Sequence, residues 1–157
     1  MAFDAGKFER AEFKPRTQRV PVPSLAAFFG DGEDAVFEVR GLSAAEMHTA
    51  MEAKQRQATM QTVVDALSAS PEKVAELRKA LGLDGNATPG EVAKRQQMLC
   101  LGSVSPKIEE HISAKISEVF PVEFFTLTNT ITELTGQGFD LVKPAAASRK
   151  APASTPA

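Results

Sequence analysis

The sequence predicts a mainly α-helical protein, with about five amphipathic helices packed as one domain, a short N-terminal extended or β-hairpin element and a disordered C-terminal tail. Three observations support this prediction. Apolar residues recur at helical spacing in five stretches between positions 44 and 136, four of which follow a readable helix-start signal. Residues 1–40 lack that period and contain three prolines. From Pro144 onward the residues are small, proline or charged, with no bulky apolar side chain to bury.

The N-terminal part is expected to be extended. Its prolines at positions 15, 21 and 23 remove backbone donors and hold the chain extended, so we expect a flexible or extended arm over residues 1–23. Gly30 to Asp34 is typical of a turn, and the β-branched and aromatic residues at 35–40 favour a strand. These segments together predict a small hairpin.

The first long helix is expected to cover residues 44–68. Ser43 and Glu46 form a capping box, in which each side chain accepts a hydrogen bond from the backbone of the other. Between its apolar ends, residues 54–57 make one turn that is polar on every face. That turn is either solvated or a break in the helix.

Four further helices follow. Each begins near a pair in which the second residue is proline, and each ends at a glycine or at the next proline. Their starts lie at Ser70-Pro71, Thr88-Pro89, Ser105-Pro106 and Phe120-Pro121, and their glycine ends lie at Gly82, Gly102 and Gly136. On the last of these helices, one stripe of side chains on consecutive turns runs through Val122, Phe125, Thr128, Ile131 and Leu134. The mainly helical domain is therefore expected over residues 24–138, and the disordered tail over 139–157.

Composition and charge exclude several classes of function. The chain has 157 residues, with 18 basic and 20 acidic side chains, so its formal charge is −2. A dedicated nucleic-acid binder needs a concentrated basic face, so no nucleic-acid partner is expected. The short apolar stretches do not reach the ~20 residues of a membrane span, and charged residues interrupt the start, where a signal peptide needs an apolar run. We therefore expect a cytosolic protein that does not act at a membrane.

Few residues are suited to catalysis or to metal binding. The chain has one cysteine, Cys100, between two leucines, where a thiol behaves as a small apolar residue. Its two histidines, His48 and His111, lack the spacing that places two imidazoles on one helical face. We predict no enzymatic activity, no cofactor and no metal.

Four side chains are candidates for binding a protein partner. Met47 and Met51 have flexible thioethers that adapt to varied apolar surfaces, although packing in the core is the alternative interpretation. Phe124 and Phe125 are adjacent, and because one helix face does not easily bury both, one of them is expected at an interface. The arm adds three phenylalanines at positions 3, 8 and 13, which are candidates for ordering on contact with a partner.

Three segments carry a resemblance to a known family. They are Val20-Pro21-Val22-Pro23-Ser24-Leu25 with Phe28-Phe29, Val39-Arg40-Gly41-Leu42-Ser43 with Glu46, and Ile131-Thr132-Glu133-Leu134-Thr135-Gly136-Gln137-Gly138. Over residues 20–138 the chain resembles the tail assembly chaperones of long-tailed bacteriophages. The most specific parts are Val-Arg-Gly-Leu-Ser and Leu-Thr-Gly-Gln-Gly, which are structural rather than catalytic signatures.

The resemblance implies a helper protein of the host bacterial cytoplasm that is absent from the mature virion. It implies binding to the tape measure protein, which it keeps soluble during tail assembly, with the tail tube protein as a further candidate partner. In such families a ribosomal frameshift often yields a longer product. Two alternatives remain open at the level of sequence: a structural minor tail or connector protein retained in the virion, and a small helical DNA-binding regulator.

Overall fold

The computed structural model describes residues 2–66, 72, 75–76 and 90–142. The chain is mainly helical, with a few short strands, as the sequence predicts. The five α-helices of the described residues are α1 (Ala5–Arg10), α2 (Ala44–Ala66), α3 (Gly90–Gly102), α4 (Glu110–Val119) and α5 (Pro121–Gly136). The strands are β1 (Phe13–Lys14), β2 (Thr17–Pro21), β3 (Val36–Arg40), β4 (Ser103–Ser105) and β5 (Asp140–Leu141).

The expected hairpin is present and gains a third strand. Strand β2 pairs antiparallel with β3, and a 3₁₀ turn at Pro23–Phe28 lies between them. Strand β4 pairs with the other edge of β3, so the sheet order is β2-β3-β4. The prediction that Ser105-Pro106 opens a helix is wrong, because Ser103–Ser105 completes this sheet and α4 begins only at Glu110.

The N-terminal segment is more ordered than a flexible arm. Asp4 accepts a hydrogen bond from the Lys7 backbone N–H and so caps α1. Val20 and Val22 are buried in the core, which places β2 and the start of the 3₁₀ turn inside the folded domain. The domain thus includes residues assigned by sequence to the arm, because Val20 of β2 and Val22 just after it pack into the core.

The ordered part of the chain also extends beyond residue 138, where the sequence predicts the disordered tail to begin. Asp140 and Leu141 form β5, which pairs antiparallel with β1 in a separate two-stranded ribbon. Residues 139–142 are therefore structured, and the rest of the expected tail lies outside the described residues. The helix predicted between Ser70 and Gly82 lies almost entirely outside them as well.

One apolar core joins the three-stranded sheet to the helices. Helix α3 packs against α2, α4 and α5, while α5 also contacts β2 and β3. The fully or nearly buried core side chains are Val20, Val22, Leu25, Phe37, Val39, Leu42, Ala50, Met98, Leu99, Ile116, Phe124, Leu127, Ile131 and Leu134. Helix α2 continues through its polar turn, so that turn is solvated rather than a break.

Candidate partner-binding surface

The two most specific resemblance segments meet in the structure, in a contact that we call the motif junction: Gly41 and Leu42 against Leu134 and Thr135. The Leu42 N–H donates to Thr135 Oγ1 over 2.9 Å, and the Leu42 side chain is buried. A Cβ at Gly41 would lie 3.0 Å from the backbone C and O of Leu134, so a larger residue there requires this backbone to shift by a few tenths of an ångström. These residues hold the start of α2 against the end of α5.

Charged groups form further hydrogen bonds beside the motif junction. The capping box forms as predicted, with Glu46 accepting from the Ser43 N–H and Ser43 Oγ accepting from the Glu46 N–H. The Arg40 guanidinium donates two hydrogen bonds to the Glu46 carboxylate and a third to the Gly41 carbonyl. These hydrogen bonds, led by that from Arg40, lower the pKa of Glu46 to about 2. Arg40, Ser43 and Glu46 therefore stabilise the start of α2.

The four candidate partner-binding residues do not form one surface. Phe124 is 1% exposed and belongs to the core, which excludes it as a contact residue in the folded protein. Phe125 is 43% exposed, with the Arg95 guanidinium 5.2 Å from its ring centre. Met47 is partly buried and packs against the core, whereas Met51 is 53% exposed on α2. Met51 and Phe125 lie on different helices, α2 and α5.

The N-terminal phenylalanines form a more extended exposed feature. Phe3, Phe8 and Phe13 make two successive ring contacts, each with 5.4 Å between centroids; we call them the aromatic row. They are 76%, 55% and 43% exposed, and Leu141, opposite Phe13 in the ribbon, is exposed as well. The sequence had indicated these residues as partner contacts but not their arrangement as a row.

A second exposed apolar group lies where α4 meets α5. Phe28 contacts Phe120 edge to face, and Val119 and Val122 beside it are exposed; we call these four residues the apolar corner. The sequence reasoning missed it because the helical spacing of Val122 and Phe125 does not show which face of α5 is inner. The buried side chains of α5 include Phe124, Leu127, Ile131 and Leu134.

The groove around Cys100 is the nearest approach to a reactive site. It is lined by Gln96, Gln97, Cys100, Glu110, His111 and Ala114. Burial raises the pKa of the Cys100 thiol, which keeps it protonated and weakly nucleophilic at neutral pH. Within the described ranges, no group of three or more His, Cys, Asp or Glu side chains is placed to hold a metal ion. None of the described helices is long and apolar enough to span a membrane.

Comparisons with protein-family models, with curated proteins and with solved structures find no match to this chain.

Proposed function

We propose that this chain is a tail assembly chaperone of a long-tailed bacteriophage, which binds the tape measure protein in the host bacterial cytoplasm and keeps it soluble until the tail tube forms. The observation that carries the proposal is that large apolar side chains cluster on the solvent-exposed surface, above all in the aromatic row. Clustered exposed apolar groups mark surfaces for protein partners.

The requirements of such a function agree with these features. A tape measure protein is a long helical chain with apolar stretches, and a protein that keeps it soluble needs an apolar surface that accepts amphipathic helices. Phe3, Phe8 and Phe13 provide one such surface and the apolar corner a second. The resemblance segments also support the proposal, since two of them contact each other at the motif junction and together stabilise the fold.

Co-expression tests the proposal. The tape measure protein of the same genome is expressed alone, with this chain, and with an unrelated helical protein as control. We expect soluble tape measure protein, and its co-elution with this chain on sizing, only in the second case. Failure of both solubility and co-elution would contradict the proposal. Detection of this chain in purified virions would instead favour the structural tail or connector alternative.

A further inference from the structure

We propose that residues 2–14 form a flap that opens and closes on the rest of the domain as one unit, and that strand β5 is the latch that holds it closed. The structure shows the closed form. Because the flap carries all three rings of the aromatic row, the latch decides whether the row is assembled. The inference concerns the fold alone and does not depend on the proposed function.

The flap has little of its own to hold it in place. None of the residues 2–14 is buried, and the first residue of the apolar core is Val20. Helix α1 has six residues, whereas an isolated helix in water is marginal even at about 12–15 residues. Its supports are the Asp4 cap, the contacts among the three rings and the pairing of β1. Segments with few buried apolar contacts and exposed backbone hydrogen bonds open while the rest of the protein stays folded.

The latch is the two-stranded ribbon in which β1 pairs antiparallel with β5. The Val142 N–H donates to the Glu12 carbonyl over 2.8 Å and extends the ribbon by one pair. The Arg16 guanidinium and the Asp140 carboxylate form an ion pair beside it, with side chains 36% and 40% exposed. A lone two-stranded ribbon is marginal in water, and an exposed ion pair contributes little. The latch can therefore open without disrupting the three-stranded sheet.

The hinge of the flap lies at Pro15. The next residue, Arg16, accepts a hydrogen bond at its carbonyl from the Gly41 N–H over 2.9 Å, which fixes it beside the end of β3. From Thr17 to Pro21 the chain is paired with β3. Pro15 itself has no backbone N–H, so it donates no hydrogen bond that would tie the flap to the sheet. Opening is thus confined to the residues before Arg16.

Opening of the latch disperses the aromatic row. Without the ribbon, α1 keeps only its cap and the ring contacts, which are too few to hold a six-residue helix in water. The rings of Phe3, Phe8 and Phe13 then lose their fixed spacing. Control comes from β5, which follows the last helix of the domain. A strand that pairs with β5 in place of β1 would disperse the row, and a ligand that stabilises the ribbon would preserve it.

Native-state hydrogen exchange of the full chain, followed amide by amide, tests whether the flap opens as one unit. The probes are the amides of Phe8, Ala11 and Val142, each of which donates to a carbonyl of the flap. We expect these three amides to share one opening free energy. They should exchange at least about a hundredfold faster than the amides of Leu127 and Ile131, whose side chains lie in the core.

Two substitutions at one position test the latch. Val142→Pro removes the N–H that donates to Glu12, whereas Val142→Ala keeps it. In Val142→Pro, we expect protection of the flap amides to fall at least about tenfold and the nuclear Overhauser contacts among the three rings of the row to disappear. The contact between the Phe29 and Phe37 rings, 6.1 Å apart in the domain, should remain. Val142→Ala should keep both the protection and the ring contacts.

Three results would overturn the inference. Equal exchange of the flap amides and the α5 amides would show that the flap does not open on its own. Unchanged protection of the flap in Val142→Pro would show that β5 does not hold it closed. Loss of the Phe29–Phe37 contact in that variant would show that the ribbon unfolds only together with the domain.

Discussion

The motif junction and the aromatic row use apolar residues in opposite ways. At the junction, Leu42 and Leu134 are buried, and the Leu42 N–H is satisfied by the Thr135 hydroxyl. In the row, three phenylalanine rings contact one another and remain exposed to solvent. Apolar side chains stabilise a fold when burial removes them from water. Exposed rings do not contribute this free energy to the fold, and it is released only if a partner buries them. Substitutions in the first region should therefore change stability, and those in the second should change binding.

The largest expected effect separates two adjacent residues. Phe124→Ala should cost about 3–5 kcal/mol of unfolding free energy, because it leaves a cavity in the core beside Leu127 and Ile131. Phe125→Ala should cost under about 1 kcal/mol, since that ring is partly exposed and contacts the Arg95 guanidinium and the Phe124 ring. Denaturant unfolding of both variants measures the difference. Equal losses would show that the outer face of α5 is also core.

A pair of glycine substitutions tests the motif junction itself. Gly41→Ala should destabilise by about 1–3 kcal/mol, because its new methyl group meets the Leu134 backbone, which has no rotamer with which to move away. Gly136→Ala is the control: no atom lies within 4 Å of its Cβ position, so the substitution should be neutral or stabilise by up to about 1 kcal/mol. Thermal unfolding of the two variants compares them. An unchanged melting temperature for Gly41→Ala would mean that the backbone at the contact between α2 and α5 shifts to accept the methyl group at little cost.

The pH dependence of stability should report the Arg40–Glu46 pair. The pKa of Glu46 is lowered from 4.5 to about 2, chiefly by the hydrogen bonds from Arg40. A carboxyl whose pKa is lower in the folded state stabilises fully above its unfolded pKa, and this stabilisation is lost as the pH falls from about 4.5 towards 2. Because the pair is partly exposed, we expect a contribution of about 1 kcal/mol.

Glu46→Gln is the matched variant for that measurement. It should unfold more easily than the wild type at pH 7, and the gap between the two should narrow at pH 3. Urea unfolding at the two pH values measures the gap. A gap that stays constant would show that the ion pair contributes nothing beyond the capping hydrogen bond.

What the sequence predicted correctly was decided by neighbours along the chain. The start of α2 follows from Ser43 and Glu46, three residues apart. Helices α3 and α5 end at Gly102 and Gly136, at the predicted positions. What it missed depends on distant residues. Strand β4 exists because β3, more than sixty positions earlier, offers a free edge.

The candidate site was only partly predictable for the same reason. Helical periodicity places Phe124 and Phe125 on different faces of α5 but does not say which face is inner. The inner face is the one with Phe124, because β2, β3 and α3 pack against α5 and Phe124 lies in the core. The phenylalanines at 3, 8 and 13 were expected to order only on contact with a partner, whereas their rings already contact one another in the structure. Their alignment depends on the Asp4 cap and on the pairing of β1 with β5, and β5 lies at the other end of the described chain.

The smallest expected effect on stability belongs to the aromatic row. Phe8→Ser should change the free energy of unfolding by no more than about 0.5 kcal/mol, because the ring contacts only Phe3 and Phe13 among the aromatic residues and is already mostly in water. Its effect should appear in partner binding, where the ring would leave solvent. Chemical denaturation and co-elution with the tape measure protein, on the same preparation, measure both quantities. A loss of stability as large as that of Gly41→Ala would mean that the row is part of the core, and the contrast between the two regions would fail.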